Sequence, residues 1–283
     1  MHNKILSGSY LAEIINMNSK EEIKKLISEN KRIPLLAIVQ TNQNESSDIF
    51  IKNKIKKAEL IGIKINLLIF NEITTKNLIE EINKLNSDSS VDGILLQLPL
   101  GNNIDKNIIF NAIDPNKDVD CFNRVNIGDF YLDSKYNNLI SPTVKGIIEL
   151  LKFNKIKIES QNIVIINRSN LIGKPLANLF LRENATVTIC HSKTKKLKEI
   201  TKKADILITA VSKPNFIDSS FIKKDSILID VSVNKIENKI YGDINFDNVI
   251  DIVKYITPVP KGIGPLTIAF LFQNLLDLYK KNN

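Results

Sequence analysis

The feature that most restricts the fold of this chain is an alternation of short apolar runs with amphipathic stretches, which occurs twice. In the first series Ile33–Gln40 reads IPLLAIVQ, a short apolar run that predicts a buried strand. Ser46 to Leu60 follows as a helix. Ser46, Ser47 and Asp48 offer N-cap oxygens there, and Ile51, Ile55 and Ala58 form an apolar stripe. A strand at Ile63–Phe70, a helix near Thr75–Leu85 and a strand at Val91–Leu98 complete the series. This β-α-β-α-β order predicts a parallel sheet covered by helices. Right-handed crossovers then bring the strand C-termini to one edge, where ligands usually bind. Pro142–Phe153 reads as a helix and opens the second series. It continues with a strand at Asn162–Ile166, a helix at Gly173–Glu183, a strand at Thr186–Cys190, a helix at Thr194–Lys202, and strands at Asp205–Ala210 and Ser226–Val231. The spacing is that of a nucleotide-binding domain. Between the two series, Asn116–Ser141 is polar and irregular and reads as the crossing. Leu266–Lys280 reads as an amphipathic helix. The predicted class is therefore α/β, with two α/β domains.

Composition narrows the class further. The chain has 283 residues, of which 43% are hydrophobic and 25% charged, an ordinary globular balance. No apolar run approaches the roughly 18–20 residues that a membrane span requires, so no membrane association is expected. Met1-His2-Asn3-Lys4 opens no apolar run ending in a cleavage site, so no secretory signal is expected. Cys121 and Cys190 lie far apart and suggest neither a disulfide framework nor a metal cluster. A reducing, cytoplasmic compartment without a bound metal is the expectation. The net charge of +8 comes mainly from lysine and favours anionic ligands in a cleft. No basic aromatic motif or zinc finger points to nucleic acid.

Several segments carry candidate chemistry. Asn167-Arg168-Ser169-Asn170-Leu171-Ile172-Gly173 lies between a predicted strand and a helix N-terminus, where backbone N–H groups and the helix dipole attract phosphate. Taken alone, this turn also fits an ordinary polar loop. Roughly twenty residues on, where an NAD-binding unit carries an acid, the chain has Cys190-His191-Ser192-Lys193. A hydroxyl and a lysine there, with Arg168, suit a 2′-phosphate and favour NADP over NAD. Cys190 itself reads as a buried strand-end residue, and His191 alone fits a surface loop. Phe50 and Lys54 share one helix face, although a lysine there also fits a solvated surface. Gln97 ends an apolar strand and needs partners if buried. Asp118 and Asp120 form an acid pair that also fits a turn. Thr257 to Thr267 is dense in proline and glycine, which fixes a loop in close approach to something, and Pro265 falls near the start of the last helix.

Eight motifs in order span nearly the whole chain: IFIKNK at Ile49–Lys54, DGILLQLPL at Asp92–Leu100, KDVD at Lys117–Asp120, SPTVKG at Ser141–Gly146, RSNLIGKPLA at Arg168–Ala177, ATVTICHSKT at Ala185–Thr194, GDINF at Gly242–Phe246 and TPVPKGIGPLT at Thr257–Thr267. Together they resemble the bifunctional methylenetetrahydrofolate dehydrogenase/methenyltetrahydrofolate cyclohydrolase family. The resemblance implies a folate-side catalytic domain at 1–141, completed by 266–283. It also implies a Rossmann-like NADP-binding domain at 142–265, a folate pocket in the cleft between them, and a homodimer formed through the cofactor domain. It gives Lys54 the role of catalytic lysine, Gln97 that of its partner, and Asp120 that of the acid holding the pterin. Phe50, Leu96, Leu98, Pro260, Lys261, Gly262, Ile263 and Gly264 fall at folate-contacting positions. Asn167, Arg168, Ser169, Gly173, Ser192 and Val233 fall at cofactor positions.

The chain departs from the family pattern at named places. Phe50 stands where the family has tyrosine. Asn167 replaces a glycine and is expected to accommodate a positive φ. Glycines are also replaced at Cys121, Ser212, Asn215, Ser232 and Lys261. A monofunctional cyclohydrolase with a degraded cofactor site, and a folate- or nucleotide-binding protein without turnover, are the alternatives these departures raise.

Overall fold

A computed structural model of the chain describes residues 4–42, 45–132, 139–237 and 239–283, with Glu45 and Ser46 described by backbone alone. Packing divides it into two compact units. One comprises Glu13–Pro142 with Ile268–Asn283, and the other the described N-terminal residues through Ala12 with Thr143–Thr267. The described residues through Ala12 thus group with the second unit, whereas the resemblance implies a first domain of 1–141.

The first unit holds helix α1 (Gly8–Ser28, beyond its first turns), β1 (Leu35–Gln40), α2 (Glu45–Ile61), β2 (Lys64–Ile69), α3 (Thr75–Ser87), β3 (Gly93–Gln97), α4 (Lys106–Ala112) and α5 (Arg124–Leu132). Its three strands run parallel in the order β2-β1-β3, with Ile38 opposite Leu67 and Leu95. The central strand is buried along nearly its whole length, and Leu36 and Ile38, which share one face, are sealed among Ile51, Ala58, Ile61, Leu271, Phe272 and Leu275. Asp92 fixes the strand entries. Its carboxylate takes two bonds from Arg32, at 2.6 and 2.7 Å, and one from the Leu35 N–H at 2.9 Å. The N-cap oxygen expected at Ser46 lies outside the described side chains. Ser47 and Asp48 fall inside α2, and Asp48 accepts from Gln40 Nε2 at 2.8 Å instead.

The span Asn116–Ser141, expected to be irregular, contains α5. Asn123 caps it by accepting from the Val125 N–H at 2.8 Å, and Asn126 is buried on its inner side. A helix that buries a polar residue shows no clean apolar stripe, so the sequence periodicity misses it. α1 and α4 are likewise additional to the elements the alternation predicts. On α1 the polar Asn16 and Ser19 are buried beside Leu11, Ala12 and Ile23, which breaks the stripe.

The second unit contains α6 (Pro142–Phe153, from Thr143), β4 (Asn162–Ile166), α7 (Gly173–Arg182), β5 (Thr186–Cys190), α8 (Leu197–Thr201), β6 (Ile206–Thr209), β7 (Ile227–Asp230), the hairpin β8 (Asn234–Ile236) and β9 (Lys239–Tyr241), α9 (Phe246–Val249) and β10 (Tyr255–Ile256). Five of its strands form a parallel sheet in the order β10-β7-β6-β4-β5. α8 is shorter than the predicted Thr194–Lys202. Lys196 takes a left-handed φ of 56° before it, and Thr194 folds back to accept from the His191 N–H at 2.8 Å. The last helix, α10 (Ile263–Asn282), begins at Ile263 rather than Leu266. Pro265 therefore sits in its first turn, where a missing N–H breaks no intrahelical bond.

Candidate active site

In the first unit, the helix–strand arrangement brings Lys54 of α2 to the C-terminal end of β3. Lys54 Nζ donates to Gln97 Oε1 at 2.7 Å, and Gln97 Nε2 donates to the Leu98 carbonyl at 2.8 Å. The second bond fixes which face of the amide meets the lysine. Gln97 and Leu96 are buried, Leu98 is half-buried, and Phe50, one turn before Lys54, is 41% exposed.

Asp120 reaches the same place on a segment laid against β3. The Ile94 N–H donates to the Lys117 carbonyl at 2.7 Å, and Lys117 Nζ grips the Leu85, Asn86 and Asp88 carbonyls that terminate α3. Asp118 turns inward, accepting from the Asn123 N–H at 2.8 Å and Asn126 Nδ2 at 3.0 Å. Gly93 is tightly packed here: a Cβ would come within 2.5 Å of a Val119 methyl and 2.6 Å of a Leu275 methyl, which would have to move. The two acids therefore differ. Asp118 is committed to holding the loop, whereas the Asp120 carboxylate has no hydrogen-bond partner among the described residues and is open to a ligand.

Sequence reasoning missed Asn274 of α10. It is buried, and its Nδ2 donates to the Val119 carbonyl at 3.0 Å and the Ile140 carbonyl at 2.9 Å. The adjacent amides Gln273 and Asn274 inside the apolar run FLFQNLLDL were the available signal.

The electrostatics follow from this burial. Desolvation pushes the Lys54 ammonium below the ordinary lysine range, and the nearby Asp120 charge opposes it. Desolvation pushes the Asp120 carboxyl up to about 7. Lys54 holds it down and Asp118 adds to the rise. Burial raises Asp118 as well, against the bonds from Asn123 and Asn126. A lysine held below its ordinary range beside an acid held above its own marks a site tuned for proton chemistry.

In the second unit, the turn after β4 is built by the Asn167 side chain. Its Oδ1 accepts from the Ser169 N–H at 2.8 Å and the Gly173 N–H at 3.0 Å, and its Nδ2 donates to the Ala210 carbonyl at 2.6 Å. The expectation of a positive φ at Asn167 is corrected: it is not among the left-handed residues. Asparagine serves here as a cap, not as a stand-in for a glycine backbone. Ser169 Oγ accepts from the Ile172 N–H at 3.1 Å. Gly173 starts α7 so close to the strand end that a Cβ would lie 2.0 Å from the Asn167 carbonyl oxygen.

Strand register pairs Ile166 with Cys190, so Arg168 and Ser192 each lie two residues past a paired position, on the C-terminal edge. Both are exposed and neither has a partner among the described residues. Val233, also exposed, follows β7 on that edge. A tight main-chain turn, an unpaired guanidinium and a free hydroxyl fit a phosphate-bearing dinucleotide.

The 257–264 loop belongs to this unit. The Gly8 N–H donates to the Lys261 carbonyl at 3.0 Å, and a Cβ at Gly262 would lie 2.4 Å from the Pro258 carbonyl oxygen. Pro260, Lys261 and Gly264 are exposed, and Gly262 and Ile263 are buried. Of the replaced glycines, Cys121, Ser212, Asn215 and Lys261 keep left-handed backbone, with φ of 61°, 55°, 54° and 80°, whereas Ser232 does not.

Residues 6–120 match the family model for the tetrahydrofolate dehydrogenase/cyclohydrolase catalytic domain, and residues 141–283 match that for its NAD(P)-binding domain. A bifunctional protein FolD of Rickettsia bellii is 47% identical over 283 residues, covering 98% of this chain and 99% of that protein. The crystal structure of the bifunctional FolD methylenetetrahydrofolate dehydrogenase/cyclohydrolase of Campylobacter jejuni is 38% identical, with a TM-score of 0.94 and 99% of each chain covered. The Trypanosoma brucei enzyme, complexed with NADP cofactor and inhibitor, is 29% identical with a TM-score of 0.93, covering 98% of this chain and 97% of that one.

Proposed function

This chain belongs to the tetrahydrofolate dehydrogenase/cyclohydrolase family, and from that premise we propose that it carries out both of the family's reactions with NADP. It oxidises 5,10-methylenetetrahydrofolate to the 5,10-methenyl cation and hydrolyses that cation to 10-formyltetrahydrofolate. The Lys54–Gln97 hydrogen bond beside an uncommitted Asp120 carries the reading.

A bound NADP would supply the acceptor for the hydride that leaves the methylene carbon. The protein's part in that step is positioning, since hydride transfer needs near-attack geometry more than proton transfer. Arg168, Ser169 and Ser192 are assigned to its phosphates, Asn167 and Gly173 to the turn that admits them, and Val233 to an apolar contact. In the hydrolytic step Lys54 is the proton carrier. Burial already favours its neutral amine, and a cationic substrate repels its protonated form further. The amine takes a proton from the water that adds to the methenyl carbon. It returns that proton to N5 of the folate as the C–N5 bond breaks, while the hydroxyl proton of the adduct leaves to solvent and the C=O of the formyl group forms on N10. Gln97 aims the amine and Asp120 holds the pterin. Phe50, Leu96, Leu98, Pro260, Lys261, Gly262, Ile263 and Gly264 are assigned to folate. A homodimer and a cytoplasmic location are part of the same reading. Among the described residues no helix is long and apolar enough to cross a membrane.

One assay on the purified protein tests the proposal. Methylenetetrahydrofolate is supplied with NADP or NAD while NADPH-band absorbance is followed, and methenyl loss is measured separately. The expected result is both activities, with NADP preferred. Methenyl hydrolysis without reduction of either cofactor would instead identify a monofunctional cyclohydrolase.

A further inference from the structure

Two buried carboxylates stand at the C-terminal edge of the five-stranded sheet and take no part in the chemistry above: Asp243 is 0% exposed and Asp230 2%. Asp243 Oδ2 accepts from Val211 N–H at 2.7 Å, Ser232 Oγ at 2.8 Å and Thr209 Oγ1 at 3.0 Å. Its Oδ1 accepts from the Lys213 N–H at 2.8 Å and Asn234 Nδ2 at 3.4 Å. One carboxylate therefore gathers the residues that follow β6 and those that follow β7. Asp230 in turn holds the segment bearing Asp243. It accepts from the Ile244 N–H at 2.8 Å, and Gly242 lies so close that a Cβ would be 2.1 Å from its Oδ2.

Ser232 is one of the replaced family glycines, yet its backbone is not left-handed. Its hydroxyl accepts from the Ser212 N–H at 3.1 Å while donating to Asp243, a link that glycine cannot make. The network continues outward. Ala210, next to Val211, accepts from Asn167, which caps the turn carrying Arg168 and Ser169. Val233 directly follows Ser232. An unbroken chain of hydrogen bonds and adjacent residues thus joins the Arg168 turn to Val233, with the buried Asp243 side chain at its centre. Loops fixed before a ligand arrives lose little further freedom on binding it, and bonds from N–H and O–H groups to a carboxylate are the stronger kind.

We infer that Asp243 and Ser232 are positioning residues for NADP, holding the loops after β6 and β7, and through Asn167 the Arg168 turn, in the arrangement the cofactor requires. The inference rests on the proposed dehydrogenase reading and adds residues that touch neither folate nor the reacting atoms.

The test is Ser232→Ala and Asp243→Asn in the full chain. NADPH binding is followed by its fluorescence, KM for NADP is determined in the dehydrogenase assay, and methenyl hydrolysis is measured in the same preparation without cofactor. Ser232→Ala should weaken NADPH binding and raise KM for NADP about tenfold, the effect of roughly one hydrogen bond to a charged group. Asp243→Asn should do more. Hydrolysis, which uses Lys54 and Gln97 of the other unit, should stay within about twofold of wild type in Ser232→Ala. Unchanged NADPH binding in Ser232→Ala would overturn the inference, whether or not Asp243→Asn folds. Parallel loss of hydrolysis in Ser232→Ala would overturn it too, by showing general damage. A wild-type chain that binds no NADPH would sink the functional reading and the inference with it. Wild-type binding together with unaltered Ser232→Ala binding would sink the inference alone.

Discussion

The charge on Lys54 is set by two opposed effects, burial against it and Asp120 for it, and burial is the larger. The hydrogen bond to Gln97 then fixes where the amine points. Replacing Lys54 with methionine keeps most of the side-chain volume and removes the proton carrier. Lys54→Met should keep the wild-type circular dichroism spectrum and lose methenyl hydrolysis by at least about a hundredfold, the usual worth of a positioned acid–base group. Hydrolysis near wild-type rates would remove the lysine from this role. Phe50 lies one turn away with an exposed ring and no hydroxyl. A neutral hydrogen bond contributes roughly 0.5–1.5 kcal/mol, a factor of about two to ten in rate if all of it acts in the transition state. Phe50→Tyr should therefore raise hydrolytic turnover by no more than about tenfold, in an enzyme that already works. A dead wild type rescued by the tyrosine would contradict this. These two residues, with Gln97 and Asp120, were legible in the sequence through motif and helical spacing. Asn274 was not, because its contact with the Val119 carbonyl joins segments far apart in the chain and no local pattern encodes it.

In the proposed reading, the turn between β4 and α7 decides cofactor choice. Arg168 is exposed and unpaired there, ready for a phosphate. A charge-assisted hydrogen bond is worth about 1.5–3 kcal/mol. Arg168→Ala should accordingly cut the preference for NADP over NAD by about tenfold to a hundredfold, leaving kcat/KM for NAD largely unchanged. An unaltered preference would place the phosphate elsewhere. The 257–264 loop makes a stability prediction instead. Lys261 sits at φ 80°, a conformation that costs a side-chain-bearing residue roughly 1–2 kcal/mol. Glycine removes that strain but gives back part of the gain through a freer unfolded chain. Lys261→Gly should raise unfolding free energy by about 0.5–1 kcal/mol in urea titration, and a destabilised variant would count against the strain. At this scale β4, β5 and α6 could be read directly from apolar runs and stripes. α1, α4 and α5 could not, since α1 and α5 bury asparagine or serine where a stripe would need an apolar residue. Asn167 was misread for a related reason: residue type suggested a backbone role, whereas its side chain bonds three separate groups.

Across the whole molecule, each unit carries a buried acid pushed up to about 7 by desolvation, Asp120 in one and Asp230 in the other. In the folded protein both keep a proton that the unfolded chain releases above about pH 4. Their contribution to stability is therefore complete below about pH 4 and is lost as pH rises through about 7. Glu29, Asp88, Asp205 and Asp218 are shifted downward, so their losses occur at more acidic pH, below that window. Lys54, lowered by burial, has the opposite sign: its folded amine gives up a proton that the unfolded chain keeps, so its contribution grows as pH rises. The unfolding temperature should fall between pH 5 and pH 7.5. Asp120→Asn should make that fall shallower, because the Asp120 carboxylate has no hydrogen bond among the described residues to lose. A steeper fall in the variant would reverse the assignment. The grip of Asn274 on the Val119 carbonyl, across 155 positions of sequence, has a consequence during synthesis. A ribosome that has released all three strands of the first sheet has yet to make the residue that steadies the acid loop. The whole five-stranded unit must be translated in between, so a chain stalled within it carries the lysine and the glutamine while its acid loop rests on its local bonds alone, without the Asn274 clamp.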